Sequence, residues 1–247
     1  MNIGENPKIT VATVVFNGEL NIVDTIESVL SQDYSRVEYV IIDGGSNDGT
    51  LRLIGEYVDR VDIFLSEADH GIFDAMNKAI RLSSGDLILF MNCGDVFASS
   101  DALSLVVPCL EAEKEQVLFG AWIRRENENC EKLCRPDIRR GLFNHQAVLY
   151  SRSIHSWNGL YLNIKGFTTA DYLFFCSLIQ SRSVKWKIVE TTLAVIEVKG
   201  ISSGMQTLSQ KCAIDYIFGR ISKFSLLSII ILHPVYRIIK KVITWRL

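Results

Sequence analysis

The sequence predicts an α/β fold built on a mostly parallel sheet, and three observations carry that expectation. Short β-branched apolar runs alternate with stretches of helical periodicity through the first half of the chain. The runs are apolar throughout, as in strands covered on both faces. Each ends in a polar turn rich in Gly, Asn or Asp, and right-handed crossovers gather such turns at the carboxyl edge of a parallel sheet.

The chain has 247 residues, 48% of them hydrophobic, and a formal net charge of −2. It is long enough to bury a sizeable core, and the near-neutral balance argues against a general nucleic-acid binder. Cysteines at 93, 109, 130, 134, 176 and 212 form no paired CxxC spacing, and no signal-peptide pattern precedes them, so reduced thiols in a cytosolic compartment are expected. Cys130 and Cys134 lack the second ligand pair that a structural zinc site needs.

Residues 9–15, Ile-Thr-Val-Ala-Thr-Val-Val, form the first expected strand. Ile22, Ile26, Val29 and Leu30 then fall at i, i+4, i+7 and i+8, one buried face of a helix. Residues 37–42 read as a second strand that runs into Asp43-Gly44-Gly45-Ser46-Asn47-Asp48-Gly49-Thr50, a turn by composition. The cycle repeats with a helix over 49–57, a strand over 61–65, a helix over 72–82 and a strand over 87–91. Three polar loops should therefore meet at one edge: Phe16-Asn17-Gly18, Asp43 to Asp48, and Asn92-Cys93-Gly94-Asp95. Asp95, a lone carboxylate at the end of an apolar strand, reads either as a ligand for a metal or as a cap for the next helix.

A helix over 101–110 and a strand over 117–123 follow, after which the alternation fades. Residues 124–140 are charged and read as an exposed loop or hairpin, and 145–150 as a strand entered through the polar pair His145-Gln146. A helix near 171–180 and a strand pair over 185–196 complete this part. Residues 220–247 contain Arg220, Lys223, Arg237, Lys240, Lys241 and Arg246 and no acid. Their apolar stretch, 224–232, is shorter than the roughly 20 residues of a spanning helix. A basic amphipathic segment of this kind suits an anionic membrane surface; the competing reading is a helix packed on the core with a solvated basic edge.

The octapeptide Asp43 to Thr50 resembles the Asp-Gly-Ser-x-Asp-Gly-Thr signature of family 2 glycosyltransferases, inverting enzymes of the GT-A fold. Three further stretches match in the family's order. They are the strand ending Val15-Phe16-Asn17, the segment from Ser66 through Asp74-Ala75-Met76-Asn77-Lys78 to Ile80, and Ser84-Gly85-Asp86 leading into Asn92-Cys93-Gly94-Asp95. The Asp-Ala-Met-Asn-Lys form is similar to a bacterial subgroup that builds colanic-acid-like exopolysaccharides, capsules and O-antigens. The resemblance covers residues 9–95 strongly and 145–203 weakly. It implies a GT-A domain over 7–205, with a nucleotide-sugar part at 7–123 and an acceptor part at 124–205, and a basic helical membrane-associating segment at 206–247.

The resemblance also assigns roles. Asp95 becomes the ligand of a divalent cation, Mn²⁺ or Mg²⁺, which neutralises the departing diphosphate; one carboxylate can suffice where substrate phosphates fill the shell. Phe16, Asp43, Asp74, Lys78, Asn92 and His145 fall to donor binding. Asp171, in Gly166-Phe167-Thr168-Thr169-Ala170-Asp171-Tyr172, becomes the base that removes the acceptor's proton. Val198-Lys199-Gly200-Ile201-Ser202-Ser203 resembles a Gly-Gly-x-Ser element suited to a closing loop. Two places depart from the family. Gly94 stands where a second acid is frequent, and Met76 where an Arg is frequent.

Each role has a structural competitor. Asp43 and Asp48 suit an Asx turn, Phe16 a core aromatic, Lys78 a solvated helix face, His145 a satisfied buried histidine, and Asp171 a helix cap. The expected function is transfer of a sugar from a nucleotide-sugar to a lipid-linked or growing oligosaccharide at the inner face of the cytoplasmic membrane. Gly94 and Met76 favour an alternative, a silent nucleotide-sugar-binding or scaffold subunit. A nucleotidyltransferase would be expected to carry a basic, Gly-rich phosphate loop near the first strand, and residues 11–20 contain no Lys or Arg.

Overall fold

A computed structural model describes residues 6–111, 115–127, 130–197 and 205–227. The expected strands form β1 (Ile9–Val15), β2 (Val37–Asp43), β3 (Ile63–Ser66) and β4 (Leu87–Phe90), interleaved with α1 (Ile22–Leu30), α2 (Thr50–Gly55) and α3 (Ile72–Leu82). Next come β5 (Val96–Phe97), α4 (Ala102–Val106), β6 (Gln116–Asn127) and β7 (Cys130–Cys134). The last elements are β8 (Val148–Ser151), α5 (His155–Asn158), α6 (Ala170–Gln180), β9 (Lys185–Glu197) and α7 (Met205–Ile217).

The strands lie in one sheet in the order β3-β2-β1-β4-β8-β6-β9-β5, with β7 beside the far half of β6. From β3 to β4 every pairing is parallel, but β4 pairs with β8 and β8 with β6 in antiparallel fashion. Beyond them β6 and β9 are parallel, whereas β5 returns antiparallel to β9. The sheet is therefore mixed, a correction to the mostly parallel sheet expected: regular alternation of strand and helix stops at β4, and β8, β7 and β5 then pair with their neighbours antiparallel.

Period-2 burial puts the core on both faces. Along β1, Ile9, Val11 and Val15 enter the layer under α1 and α4, while Ala12 and Val14 enter the layer with α3 and α6. This is why the strand reads as continuously apolar.

Several boundaries differ from expectation for identifiable reasons. The helix expected over 101–110 turns into a tighter 3₁₀ segment at Val107–Cys109, where Pro108 has no N–H to continue α4. The strand pair expected over 185–196 is the single strand β9, whose register against β6 shifts on either side of Ala121. A bulge thus does the work assigned to a turn. The charged stretch after residue 123 does form a hairpin, β6 with β7. The strand expected from His145 begins instead with a 3₁₀ turn, His145–Ala147, because the Asn144 side chain accepts from the Gln146 N–H at 3.0 Å.

The C-terminal boundary also moves. Residues 206–220 pack on α6: the Gln210 side chain accepts from the Thr168 N–H at 2.9 Å, and Tyr172 Oη donates to Asp215 at 2.6 Å. Arg220, counted above with the membrane-facing basics, is largely buried and lies 3.2 Å from Asp215 and 2.7 Å from Cys176 Sγ. Lys223, Phe224 and Leu227 are exposed, and no helix among the described residues is long and apolar enough to cross a membrane. The Gly-Gly-x-Ser-like stretch and residues 228–247 lie outside the described residues.

At the amino edge of the sheet, Glu38 is buried and anchors three segments. It meets Lys8 Nζ at 2.7 Å and Thr10 Oγ1 at 2.6 Å, and accepts the Ser84 N–H at 2.7 Å. Burial works to raise its carboxyl, but these donors overcome it and hold the group at about 2, below its ordinary 4.5. Glu38→Gln should cost about 1–3 kcal/mol, the penalty for a disrupted buried hydrogen-bond cluster. The folded-state value is depressed, so the stabilisation is complete above the unfolded value near 4.5 and fades as pH falls toward 2. Denaturant melts of both proteins should show a gap at pH 7 that narrows below pH 4.5; a constant gap would refute this account.

Candidate active site

The three predicted loops meet at the carboxyl edge. Asn17, at φ 51°, donates its N–H to Ser46 Oγ at 2.7 Å and accepts the Asn47 N–H on its side chain at 2.9 Å. Gly18 N–H reaches Thr50 Oγ1 at 2.8 Å, and Cys93 N–H bonds the Val14 carbonyl at 3.2 Å. Phe16 is 62% exposed at this edge, so it is not a core aromatic.

Beside these loops, the end of β4 and the turn before β8 build one polar cluster. Asn92 Nδ2 lies 3.0 Å from His145 Nε2, and His145 Nδ1 lies 2.9 Å from Asp171 Oδ2 at the start of α6. Gln146 Nε2 donates to Asp95 Oδ2 at 2.6 Å. His145 and Gln146 are sequence neighbours, which a strand would point to opposite faces. The 3₁₀ turn lets both join the cluster, a role for Gln146 that the strand reading concealed.

The electrostatics separate the two acids. Burial pushes the Asp95 carboxyl up to about 6, opposed by the nearby His145 and the Gln146 amide. Burial also works to raise Asp171, but the hydrogen bond and charge of His145 prevail and hold it below its ordinary value. The first environment favours a partner cation; the second keeps a carboxylate ionised at neutral pH.

The remaining predicted residues are placed differently. The Asp43 carboxylate is fully buried and accepts from the N–H groups of Gly45 and Ser46, both at 3.0 Å, from Ser66 Oγ at 2.7 Å and from Ser46 Oγ. Its hydrogen-bonding capacity goes to shaping the loop rather than to an open ligand contact. Asp74 accepts the His70 N–H at 3.0 Å, while Lys78 bonds the Ala68 carbonyl at 3.1 Å and Glu67 at 2.9 Å. Both hold the loop before α3 and neither joins the Asp95 cluster. That loop packs on the second motif, for a Cβ on Gly44 would collide with the Asp69 carboxylate. Met76 is fully buried in the core, which explains in packing terms why no Arg stands there.

The donor set suits a hard divalent cation. Among the described residues no group of three or more His, Cys, Asp or Glu could hold a metal alone. Two buried oxygens, Asn92 Oδ1 and Gln146 Oε1, nevertheless have no hydrogen-bond partner, and the Gln146 amide is held against the Asp95 carboxylate. Oxygen ligands few enough to leave room for phosphates are what Mg²⁺ and Mn²⁺ accept.

Comparison with known proteins agrees with this geometry. The family model for glycosyl transferase family 2 matches residues 10–185. A PGL/p-HBAD biosynthesis glycosyltransferase of Mycobacterium bovis is 30% identical over 157 residues, covering 60% of either chain. The Bacillus subtilis protein named as glycosyltransferase EpsE is 30% identical over 124 residues, 49% of this chain and 44% of that one. The chain thus spans about half the length of the curated relatives it matches. Staphylococcus aureus TarS (residues 1–349) in complex with UDP-GlcNAc superposes with a TM-score of 0.67 at 15% identity, covering 85% of this chain and 65% of that chain. The Pyrobaculum calidifontis mannosyltransferase PcManGT, in complex with GDP-Man and Mn²⁺, gives 0.65 at 17% identity over 88% of this chain and 65% of that one. These likenesses establish the shared GT-A fold.

Gly94 separates Cys93 from Asp95 at φ +97°, where a side chain is strained whatever the space around it. A Cβ there would meet nothing nearer than Asn21 Nδ2 at 3.6 Å, so the cost lies in the backbone. Gly94→Ala and Gly94→Asp should each lose about 1–2 kcal/mol, a melting shift of several degrees for a chain of this size. Unchanged melting of both variants would show that the turn tolerates a side chain.

Proposed function

The chain belongs to glycosyl transferase family 2, and from that premise we propose that it moves a sugar from a nucleotide-sugar to a lipid-linked or growing surface oligosaccharide, with inversion at the anomeric carbon. The observation that carries this reading is the cluster at the carboxyl edge, where Asp95 and Gln146 lie next to the chain Asn92, His145 and Asp171.

In this reading the exposed Phe16 offers an apolar wall to the donor's base, on a loop held in shape by Asn17, Asp43 and Ser46. Asp95 and Asn92 would hold the Mn²⁺ or Mg²⁺ ion, with His145 beside them toward the diphosphate. When bound, the cation supplies charge neutralisation for the leaving diphosphate. Asp171 accepts the proton of the acceptor hydroxyl on the opposite side of the sugar. His145 Nδ1–H orients that carboxylate and keeps it ionised, and the first turn of α6 favours its negative charge. The aromatic floor beneath α6, where Phe143 stacks on Tyr172 at 5.1 Å, fixes the helix start and therefore the base.

The tail fits a place at the inner face of the cytoplasmic membrane. Lys223, Phe224 and Leu227 are exposed directly after the Arg220 clasp, and Arg237, Lys240, Lys241 and Arg246 follow in sequence. An apolar edge flanked by basic side chains is attracted to anionic lipid.

A thermal-shift screen of UDP-, GDP- and dTDP-sugars with Mn²⁺ should single out one donor class, since a binder stabilises the fold by mass action. With that donor, Asp171→Asn should lower transfer by about 10²–10⁴-fold, the usual contribution of a general base, and leave the thermal shift intact. Near-normal turnover would remove Asp171 as base. Donor binding without turnover in the unaltered protein would favour the silent subunit. Removing residues 228–247, which leaves the Arg220 clasp in place, should abolish co-sedimentation with anionic vesicles but not with the donor-dependent stabilisation. Undiminished sedimentation would refute the tail's role.

A further inference from the structure

Asp171 stands in the first turn of α6, where a helix is least fixed by its own hydrogen bonds. Thr169 occupies the N-cap position, yet its side chain makes no hydrogen bond to the helix. Its hydroxyl instead donates to Gln210 Oε1 of α7 at 3.2 Å. The same oxygen accepts the Thr168 N–H at 2.9 Å and lies 3.2 Å from the Thr168 hydroxyl. The nitrogen of that amide donates to the Gly166 carbonyl at 2.7 Å, which also accepts from Gln206 Nε2 at 2.6 Å. One residue past Asp171, Tyr172 Oη donates to Asp215, and Lys211 Nζ sits 5.1 Å from the Tyr172 ring centroid. Gln206 with Gln210, and Lys211 with Asp215, are i, i+4 neighbours on α7. The helix therefore grips the chain on both sides of Asp171.

We infer that Gln210 is a positioning residue for the transfer reaction: through the Thr168-Thr169 entrance of α6 it sets where the Asp171 carboxylate stands against His145. His145 comes from the turn before β8 and meets Asp171 Oδ2 at 2.9 Å, so the base and its orienting imidazole belong to different elements. A shift of α6 along or about its axis opens that contact, and a displacement of about 1 Å can cost on the order of a hundredfold in rate. Gln210 is placed to prevent it. A side-chain amide that accepts on one atom and donates on the other holds the entrance loop from two directions. The amide is half-buried, so its bonds are partly shielded from competing water. This role rests on Asp171 acting as the base, and it falls to a residue outside every motif named above.

The His145 tautomer reports the contact directly. Asn92 Nδ2 faces His145 Nε2 at 3.0 Å, so the ring proton belongs on Nδ1, toward Asp171. Ring-nitrogen resonances of the chain labelled with isotopic histidine measure it, the His145 signals being those lost in His145→Gln. Gln210→Met keeps the side chain's length and removes its hydrogen bonds. It should lower the Nδ1–H share toward that of a free imidazole and cut turnover of the donor singled out above by about 10–100-fold, with the donor's thermal shift unchanged. Gln210→Glu keeps the accepting oxygen and should restore most of both. Thr169→Val deletes one bond to that oxygen, should move both readouts less in the same direction, and carries the test if melting curves show Gln210→Met unfolded. A role in stability alone would lower melting without changing the tautomer. Wild-type tautomer or turnover in folded Gln210→Met, or a Gln210→Glu variant no better than it, would overturn the role of Gln210 while Asp171→Asn still loses transfer. Near-normal turnover in Asp171→Asn would instead overturn the base on which that role rests.

Discussion

The contact between Asn92 and His145 spans the seam on which the site depends. Asn92 follows β4, the last strand of the parallel half, and His145 precedes β8, the first antiparallel strand beside it. Because β4 and β8 run in opposite directions, the end of one faces the beginning of the other. The acid-bearing turn and the histidine turn are brought together by sheet direction alone. A fully parallel sheet would have sent β8's entrance to the opposite edge.

From that seam the polar chain extends both ways. Toward the second half it reaches Asp171, whose helix is secured by α7 through Gln210 and Asp215. Toward the first half it borders Asp95, whose turn is tied to α1 by Thr25: the hydroxyl donates to the Asp95 carbonyl at 2.9 Å and accepts the Gly94 N–H at 3.0 Å. The cost of burying these groups falls on the site itself, as the raised Asp95 carboxyl and the two unpartnered amide oxygens show. Buried acceptors left unpaired are destabilising, so their survival at one spot is better explained by a ligand than by the fold.

The opposite edge of the sheet shows the contrasting use of a buried acid. Glu38 is surrounded by donors and held far below its ordinary value, so it is satisfied by the fold and open to nothing else. Asp43 is similarly occupied, although it lies at the carboxyl edge where sequence placed it in donor binding. Glu38 and Asp43 each accept from several donors, whereas Asp95 accepts from the Gln146 amide and burial pushes its carboxyl up.

The sequence by itself determined the strands and helices through β4, because burial on both faces and helical periodicity are written in consecutive residues. It also determined the meeting of three loops, since right-handed crossovers leave parallel strands ending at one edge. Family motifs named Asp95, Asn92, His145 and Asp171. Only the tertiary structure decided that Gln146 joins them, that Asp74 and Lys78 serve a neighbouring loop, and that Arg220 turns inward. The reason is range: periodicity and turn chemistry act over a few residues, whereas the pairing of β5 with β9 and of β4 with β8 joins segments far apart in the chain. Which side chains meet across such a ladder depends on strand order, direction and register, and no local pattern records them.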